Sequence, residues 1–252
     1  MSRHRFSANL GYLWKKQPLA QRILNAKTSG FDAVELHDDL LWNDVSEITR
    51  VFRDVDLPVL SINTYMGETI GQAAMPGHRS EARASVTKAV ELAETVNAAN
   101  IHILSGFSAG EMATDTLLSN LDFATQQTDR TLLIEPICSV AAPEYFLKTP
   151  DQALEIVQVL GSEQVKIMFD CFHIAMEGFD VWESFCKLQP HIGHIQISSV
   201  PDRHEPDHGD IDYTKLLNKC VENGYSGWFG CEYNPLTTVE EGLHWRETVM
   251  YS

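Results

Sequence analysis

Short apolar runs alternate along the chain with longer segments in which apolar residues recur at helical spacing. Runs such as Leu132-Leu133-Ile134 are apolar at consecutive positions, which is typical of strands that helices cover on both faces of a sheet. Eight runs of this kind are predicted to be strands: Phe6–Leu10, Ala33–His37, Val59–Asn63, Ile101–Ser105, Leu132–Ile137, Val165–Asp170, Ile192–Ser198 and Phe229–Tyr233.

The segments between these runs carry helix signals. The clearest helix is predicted over Ser80–Ala98, where alanine and valine recur on one face and charged residues lie opposite. Four further helices are predicted over Val45–Phe52, Ala153–Leu160, Leu216–Val221 and Glu240–Val249. Each follows a capping residue, namely Asn43 or Asp44, Thr149, Asp212, and Thr237 or Thr238. Gly30, Gly161 and Gly224 follow helical stretches, where a left-handed residue often ends a helix.

Strand and helix alternate about eight times at roughly 31 residues per unit, which is the spacing of a (β/α)8 TIM barrel. The alternative α/β architecture is an open doubly wound sheet, but no GxGxxG or GxxxxGK[ST] motif follows any predicted strand. No Pro/Gly/Ser-rich linker or block of charge divides the chain. The sequence therefore predicts a single TIM-barrel domain over residues 1–252.

The charge balance narrows the range of partners. The 252 residues include 19 Lys+Arg and 35 Asp+Glu, which gives a formal net charge of −16. Such a chain repels polyanions, so we predict neither nucleic acid nor an anionic membrane as a partner and favour a small-molecule substrate. No apolar stretch approaches the ~18 residues of a membrane span, and the N-terminus shows no signal-peptide core, so a cytoplasmic location is expected.

Four oxygen-bearing side chains stand near the ends of the last four predicted strands. They are Glu135, Asp170, Gln196 and Glu232. Residues at the carboxyl ends of barrel strands converge on one mouth, where barrel enzymes carry their sites. Because clustered buried carboxylates repel one another, they need a cation or a proton. An all-oxygen set suits Mg²⁺ or Mn²⁺, so we predict one divalent cation here.

Other polar residues fall near the same rim. His173 lies three residues after Asp170, where it is either a second metal ligand or a donor to a substrate oxygen, and the substrate role is favoured. The charged segment 201–210 follows the seventh strand and contains Arg203 and His204, which we predict to bind substrate. The alternative for Arg203 is a surface ion pair with an acid of the same segment. His37, His102 and His194 are expected to be structural.

Several sequence segments resemble hydroxypyruvate isomerases, which belong to the xylose-isomerase-like barrel superfamily. The similar segments are Phe6–Leu10, Gly30–Glu35, Leu133–Pro136, Ile192–Ile197, Val200–Pro206, Gly209–Tyr213 and Gly224–Tyr233. The resemblance implies a xylose-isomerase-like TIM barrel in which Glu135, Asp170, Gln196 and Glu232 bind a divalent metal. It also implies that Glu135 and Glu232 form the acid/base pair, with His173 and Arg203 near the substrate.

The resemblance implies conversion of hydroxypyruvate to tartronate semialdehyde through an enediolate. The segments after the second, third and fifth strands depart from the family, and 137–142 lacks a basic residue. These departures keep open a ketose 3-epimerase or a 2-oxo-tetronate or sugar isomerase with the same metal site. An apurinic endonuclease of the superfamily is less favoured, because it needs a histidine-rich zinc cluster and the chain is acidic. A barrel that binds without catalysing and a homo-oligomer are also possible.

Overall fold

The computed structural model describes residues 4–249 and shows a closed barrel of eight parallel strands in sequential order. The strands are β1 Phe6–Asn9, β2 Ala33–Glu35, β3 Val59–Asn63, β4 Asn100–His102, β5 Thr131–Ile134, β6 Val165–Asp170, β7 Ile192–Ile197 and β8 Phe229–Cys231. Pairing of β1 with β8 closes the sheet. The predicted TIM barrel is confirmed, and every strand falls within its predicted run or within one residue of it. The ends of the predicted 1–252 domain, residues 1–3 and 250–252, lie outside the described residues.

Helices follow the strands around the outside of the barrel. They are α1 Leu19–Thr28, α2 Val45–Val55, α3 Arg79–Val96, α4 Glu111–Thr125, α5 Pro150–Leu160, α6 Cys171–Met176, α7 Val181–Leu188, α8 Tyr213–Glu222, α9 Val239–Gly242 and α10 Trp245–Val249, with 3-10 turns at Asp39–Trp42 and Gln189–His191. Asp44, Thr149 and Asp212 cap α2, α5 and α8 by accepting hydrogen bonds from backbone N–H groups, as predicted.

The prediction of one helix over Glu240–Val249 is wrong, because the segment forms the two short helices α9 and α10. Gly242, which ends α9, approaches the buried Glu205 side chain so closely that a Cβ would lie 2.4 Å from Glu205 Oε1. Glycine permits this approach and is also a poor helix former, so the break falls there. Thr238 caps α9, which agrees with the predicted start.

The strands sort their side chains into an apolar outer layer and a polar interior. In β1, Phe6 and Ala8 belong to the buried hydrophobic core, whereas Ser7 and Asn9 are buried polar residues. This alternation is the period of two that directs successive side chains to opposite faces of a sheet. The barrel interior is therefore polar, as a binding site for a polar ligand requires. No helix in the described part of the chain is both long enough and apolar enough to cross a membrane.

Candidate active site

The carboxyl ends of strands β5 to β8 carry the four residues predicted as metal ligands. Glu135 directly follows β5, Asp170 ends β6, Gln196 lies one residue before the end of β7, and Glu232 directly follows β8. All four are buried. Glu135 and Asp170, together with His173, offer ligand atoms that lie within 4.8 Å of one another. The fold thus brings together the residues that the strand-end argument selected.

Glu135, Gln196 and Glu232 line a cavity of about 160 Å³, whereas Asp170 lies beside it and is not part of its lining. The cavity is smaller than the ~300–1,000 Å³ of pockets for drug-sized ligands, so its size suits a molecule of a few carbon atoms. Its lining comes from all sides of the barrel: Asn9, Tyr12, His37, Ser61, Asn63, Met66, Ile70, His102, Leu104, Glu135, Ile137, Ala141, Ala142, Met168, His173, Gln196, Arg203 and Glu232.

Arg203 reaches into the site from the turn after β7. Its Nη2 lies 3.2 Å from Asp170 Oδ2 and 3.3 Å from Glu232 Oε2, so it pairs with two strand-end acids and not with an acid of its own segment. The guanidinium is stacked between the rings of Tyr12 and Phe172, each 4.7 Å away. Burial opposes its charge, but Glu232 and Asp170 raise the pKa of Arg203. Arg203 is therefore a fixed cation at the mouth.

His173 lies on α6, which begins directly after Asp170, and a polar group lies near each nitrogen of its ring. The backbone N–H of Cys138 donates to Nδ1 over 3.3 Å, while Nε2 lies 3.6 Å from Asp170 Oδ2. Burial and the nearby Arg203 hold the pKa of His173 well below its ordinary value, so the ring is neutral. A neutral imidazole that accepts at Nδ1 carries its proton on Nε2. This geometry allows Nε2–H to donate to a substrate oxygen, while the ligand atoms of His173, Glu135 and Asp170 also lie close enough together to hold a metal ion.

His37 and His102, which were expected to be structural, both line the cavity. His37 Nε2 lies 3.5 Å from Glu232 Oε1, and His102 Nε2 lies 3.7 Å from Glu135 Oε2. Burial lowers the pKa of His102 to about 3, whereas the contact with Glu232 raises that of His37 despite its burial. Each glutamate of the predicted acid/base pair therefore has its own imidazole. His37 ends its predicted run and meets the strand-end criterion that selected the acids, whereas His102 is the second residue of its predicted run and does not.

His204 is the predicted substrate-binding residue that the structure leaves outside the cavity lining. Its Nδ1 donates to the carbonyl oxygen of Asn234 over 2.7 Å, and its backbone N–H donates to Ser199 Oγ. These two bonds hold the turn that carries Arg203. The ring faces the loop after β8, so its part in the site is to shape the Arg203 turn.

The carboxylates are arranged so that they favour a cation. Burial, followed by repulsion from Glu232 and Asp170, raises the pKa of Glu135 well above its ordinary value. Burial also raises the pKa of Asp170 to about 7, although Arg203 opposes the shift. Glu135 Oε1 and Gln196 Oε1 are buried and accept no hydrogen bond within the described chain. Buried acceptor oxygens without donors are expensive, and a hard divalent cation such as Mg²⁺ or Mn²⁺ fits this donor set.

The raised carboxyl pKa values predict that cation binding stabilises the protein more at high pH. Without a cation, the folded state holds a proton on Asp170 up to about pH 7, whereas an unshifted carboxyl releases it near 3.8. The stabilisation from this group is therefore present at low pH and is lost as the pH rises through about 7. A cation replaces the proton, so Mg²⁺ or Mn²⁺ should raise the melting temperature more at about pH 8 than at about pH 5.5.

Thermal unfolding with chelator or with added cation at both pH values measures this effect. The slope is bounded by about 1.4 kcal/mol per pH unit for each proton displaced. Asp170→Asn, which has no carboxyl proton at this position, should lose part of the pH dependence of the chelated protein. An equal rise in melting temperature at the two pH values would contradict the prediction.

TIM-barrel enzymes carry their active sites at the carboxyl ends of the strands, and this chain has acidic and imidazole side chains clustered there. More narrowly, this chain belongs to the xylose isomerase-like TIM barrel family, whose sequence model matches residues 23–249. It is 35% identical to "Putative hydroxypyruvate isomerase" of Danio rerio, and the match covers 96% of this chain and 94% of that protein. It is 33% identical to the 2-oxo-tetronate isomerase of Cupriavidus necator, covering 96% of each chain.

Among solved structures, the chain resembles one titled AP endonuclease, family 2 from Brucella melitensis. The two share 30% sequence identity and a TM-score of 0.92, and the match covers 96% of this chain and 97% of that one. These comparisons confirm the predicted resemblance to hydroxypyruvate isomerases and the prediction that the chain is an enzyme of the isomerase class.

Proposed function

We propose that this protein is a divalent-cation-dependent isomerase that converts hydroxypyruvate to tartronate semialdehyde. The observation that carries the proposal is the pair of buried glutamates after β5 and β8, which face one small cavity and each have an adjacent imidazole. Proton transfer between neighbouring carbons needs two such groups within reach of the substrate. The names of the relatives from Danio rerio and Cupriavidus necator support a small hydroxy-keto acid as substrate.

The proposed reaction moves one hydrogen between adjacent carbons. One glutamate removes a proton from the carbon that bears the hydroxyl group, and the resulting enediolate is protonated at the former carbonyl carbon by the other glutamate. The hydroxyl proton moves to the former carbonyl oxygen, so the atoms balance without an external oxidant. His173, whose Nε2–H points toward Asp170 and Glu135, is placed to donate to a substrate oxygen during this exchange.

The cation and Arg203 would bind different parts of the substrate. Glu135, Asp170, Gln196 and Glu232 would hold Mg²⁺ or Mn²⁺, which as a Lewis acid polarises the carbonyl and its neighbouring hydroxyl. Arg203 is the one arginine or lysine among the described residues that line the cavity. Its planar guanidinium, fixed between two aromatic rings, suits the carboxylate of a 2-oxo acid.

A proton NMR assay with added Mg²⁺ or Mn²⁺ tests the proposal. The purified protein is incubated separately with hydroxypyruvate, a four-carbon 2-oxo-tetronate and a ketose such as fructose. We expect rapid conversion of a 2-oxo acid and slow or no change of the ketose, because the cavity is small and contains one guanidinium. Conversion of the ketose alone, or of none of the three, would refute the proposal.

A four-carbon 2-oxo-tetronate is the second candidate substrate, and the other half of the cavity favours it. Strands β1 to β4 and the segment after β2 contribute Asn9, His37, Ser61, Asn63 and His102, which offer hydrogen bonds across from the acids. A three-carbon acid has fewer hydroxyl groups than a four-carbon acid with which to form these hydrogen bonds. In the same NMR assay, a higher kcat/KM for the 2-oxo-tetronate than for hydroxypyruvate would select this candidate, and the reverse ratio would reject it.

A further inference from the structure

A second buried polar cluster lies inside the barrel and is joined to the proposed cation site by one side chain. Its centre is Glu35, the last residue of β2, of which 1% is exposed. Glu35 Oε1 accepts a hydrogen bond from Ser7 Oγ over 2.6 Å and lies 3.0 Å from His194 Nε2. Glu35 Oε2 accepts a hydrogen bond from Gln196 Nε2 over 2.8 Å. Glu35 does not line the cavity, whereas Gln196 does.

The contact between Glu35 and Gln196 fixes which end of the amide faces the site. An amide presents a donor nitrogen on one side and an acceptor oxygen on the other, and an ionised carboxylate only accepts. Both oxygens of Glu35 face donors, with Ser7 Oγ and His194 Nε2 at Oε1 and Gln196 Nε2 at Oε2, so the carboxyl group acts as an acceptor toward the amide. A flipped amide would place Gln196 Oε1 against an oxygen of Glu35. The observed amide leaves Oε1 buried and without a hydrogen bond from any described group.

We propose that Glu35 is a positioning residue that orients the Gln196 amide so that Oε1 faces the cation. The inference rests on the cation site of the proposed function. Glu35 does not line the cavity; its hydrogen bond to the proposed site goes to Gln196, and its charge also acts on the nearby Glu135. Residues that hold a metal ligand in place in this way contribute to metal affinity, and their loss typically weakens binding by about 10–100-fold.

The packing of β8 keeps Glu35 in this position. Gly230 pairs with Gln196 in the β7–β8 register. A Cβ at residue 230 would lie 2.3 Å from Glu35 Oε1 and 2.7 Å from His194 Nε2, so no side chain fits there. The glycine lets the carboxylate of β2 reach across the interior to an amide on β7. Glu35 is therefore closely enclosed by Ser7, His194, Gln196 and the backbone of Gly230.

A double-mutant cycle on Mn²⁺ affinity tests the proposal without using catalysis. The dissociation constant of Mn²⁺ is measured by calorimetry or electron paramagnetic resonance for wild type, Glu35→Gln, Gln196→Ala and the double variant. We expect Glu35→Gln to weaken binding by about 10–100-fold. In the Gln196→Ala background, Glu35→Gln should cause a much smaller further loss, because the amide that it orients is gone and only the effect of its charge remains. Glu177→Gln, the same carboxylate-to-amide change outside the cavity lining, is the matched control and should bind nearly as wild type.

Three results would overturn the proposal: unchanged Mn²⁺ affinity in a folded Glu35→Gln variant, independent losses that multiply in the double variant, or no Mn²⁺ binding by wild type. If Glu35→Gln does not fold, a crystal structure of the Mn²⁺-loaded wild type decides, with Gln196 Oε1 on the metal and Nε2 on Glu35 expected. A Gln196 side chain away from the metal would overturn it. A coupled Mn²⁺ effect in a protein that isomerises no 2-oxo acid would retain this inference and reject the proposed function.

Discussion

Replacing Glu135 by glutamine is expected to lower kcat for the proposed isomerisation by about 10²–10⁴-fold, which is the usual contribution of general acid–base catalysis. The amide keeps the size and an oxygen ligand but can neither accept nor return a proton. Glu135 lines the cavity, and burial together with repulsion from Glu232 and Asp170 raises the pKa of its carboxyl group well above the ordinary value, which favours its use as a proton carrier. Glu232→Gln should cause a loss of similar size, because the reaction needs both groups.

Steady-state kinetics with saturating Mg²⁺ or Mn²⁺ measures this loss, and calorimetric metal binding separates it from loss of the cation. The matched control is Glu177→Gln, a carboxylate outside the cavity lining whose oxygens accept hydrogen bonds from the backbone and hydroxyl of Ser139. Glu177→Gln should keep nearly the wild-type kcat. A folded Glu135→Gln variant with wild-type kcat would show that this glutamate transfers no proton.

Removal of divalent cations is expected to reduce the isomerase activity by about 10³-fold, since Lewis-acid polarisation contributes several kcal/mol and ~1.4 kcal/mol is a tenfold change in rate. The donor set predicts this dependence. Three buried carboxylates lie near one another with one fixed arginine, so their repulsion is not fully offset within the described chain. Two buried acceptor oxygens, on Glu135 and Gln196, also lack a hydrogen-bond donor there.

Dialysis against a chelator, followed by titration with Mg²⁺ or Mn²⁺, measures the dependence. Activity should fall with the metal content and return as the oxygen-preferring ions are added back. Asp170→Asn should need a higher cation concentration for the same activity, because it removes one anionic ligand. Full activity in protein whose metal content is undetectable by mass spectrometry would contradict the prediction.

The barrel could be predicted from the sequence because the same strand and helix signals are repeated along the chain. Eight apolar runs and several capped helices all indicate one architecture, so an error in any single element changes little. Helices α4, α6 and α7 were not predicted: α4 begins after Gly110 without a side-chain cap, and α6 and α7 have only 6 and 8 residues, which is too short to show a clear helical period. The break between α9 and α10 follows Gly242, where a Cβ would clash with Glu205, and this close approach is visible only in the folded chain.

The part of the site that lies at the ends of the strands could be predicted from the sequence. Glu135, Asp170, Gln196 and Glu232 follow from one rule about the carboxyl ends of barrel strands, and the structure brings them to one mouth. The roles of these residues remain predictions.

The remaining parts of the site depend on contacts across the barrel. Glu35 and Gln196 are 161 positions apart in sequence, so their hydrogen bond is visible only in the folded chain. His204 faces the backbone of Asn234 and not the cavity because the turn after β7 reverses at Arg203, whose φ is 56°. His37 ends its predicted run, but His102 is the second residue of the predicted run Ile101–Ser105, and only the cavity shows that both lie at the site.

In the proposed reaction, two glutamates move a proton between adjacent carbons of a small hydroxy-keto acid. The most direct test is proton NMR of hydroxypyruvate in D₂O with Mg²⁺ or Mn²⁺, for wild type and for the Glu135→Gln/Glu232→Gln double variant. We predict that wild type forms tartronate semialdehyde and incorporates solvent deuterium at the carbon next to the carboxylate, whereas the double variant does neither. Equal conversion by both proteins, or neither conversion nor exchange with wild type, would contradict the account.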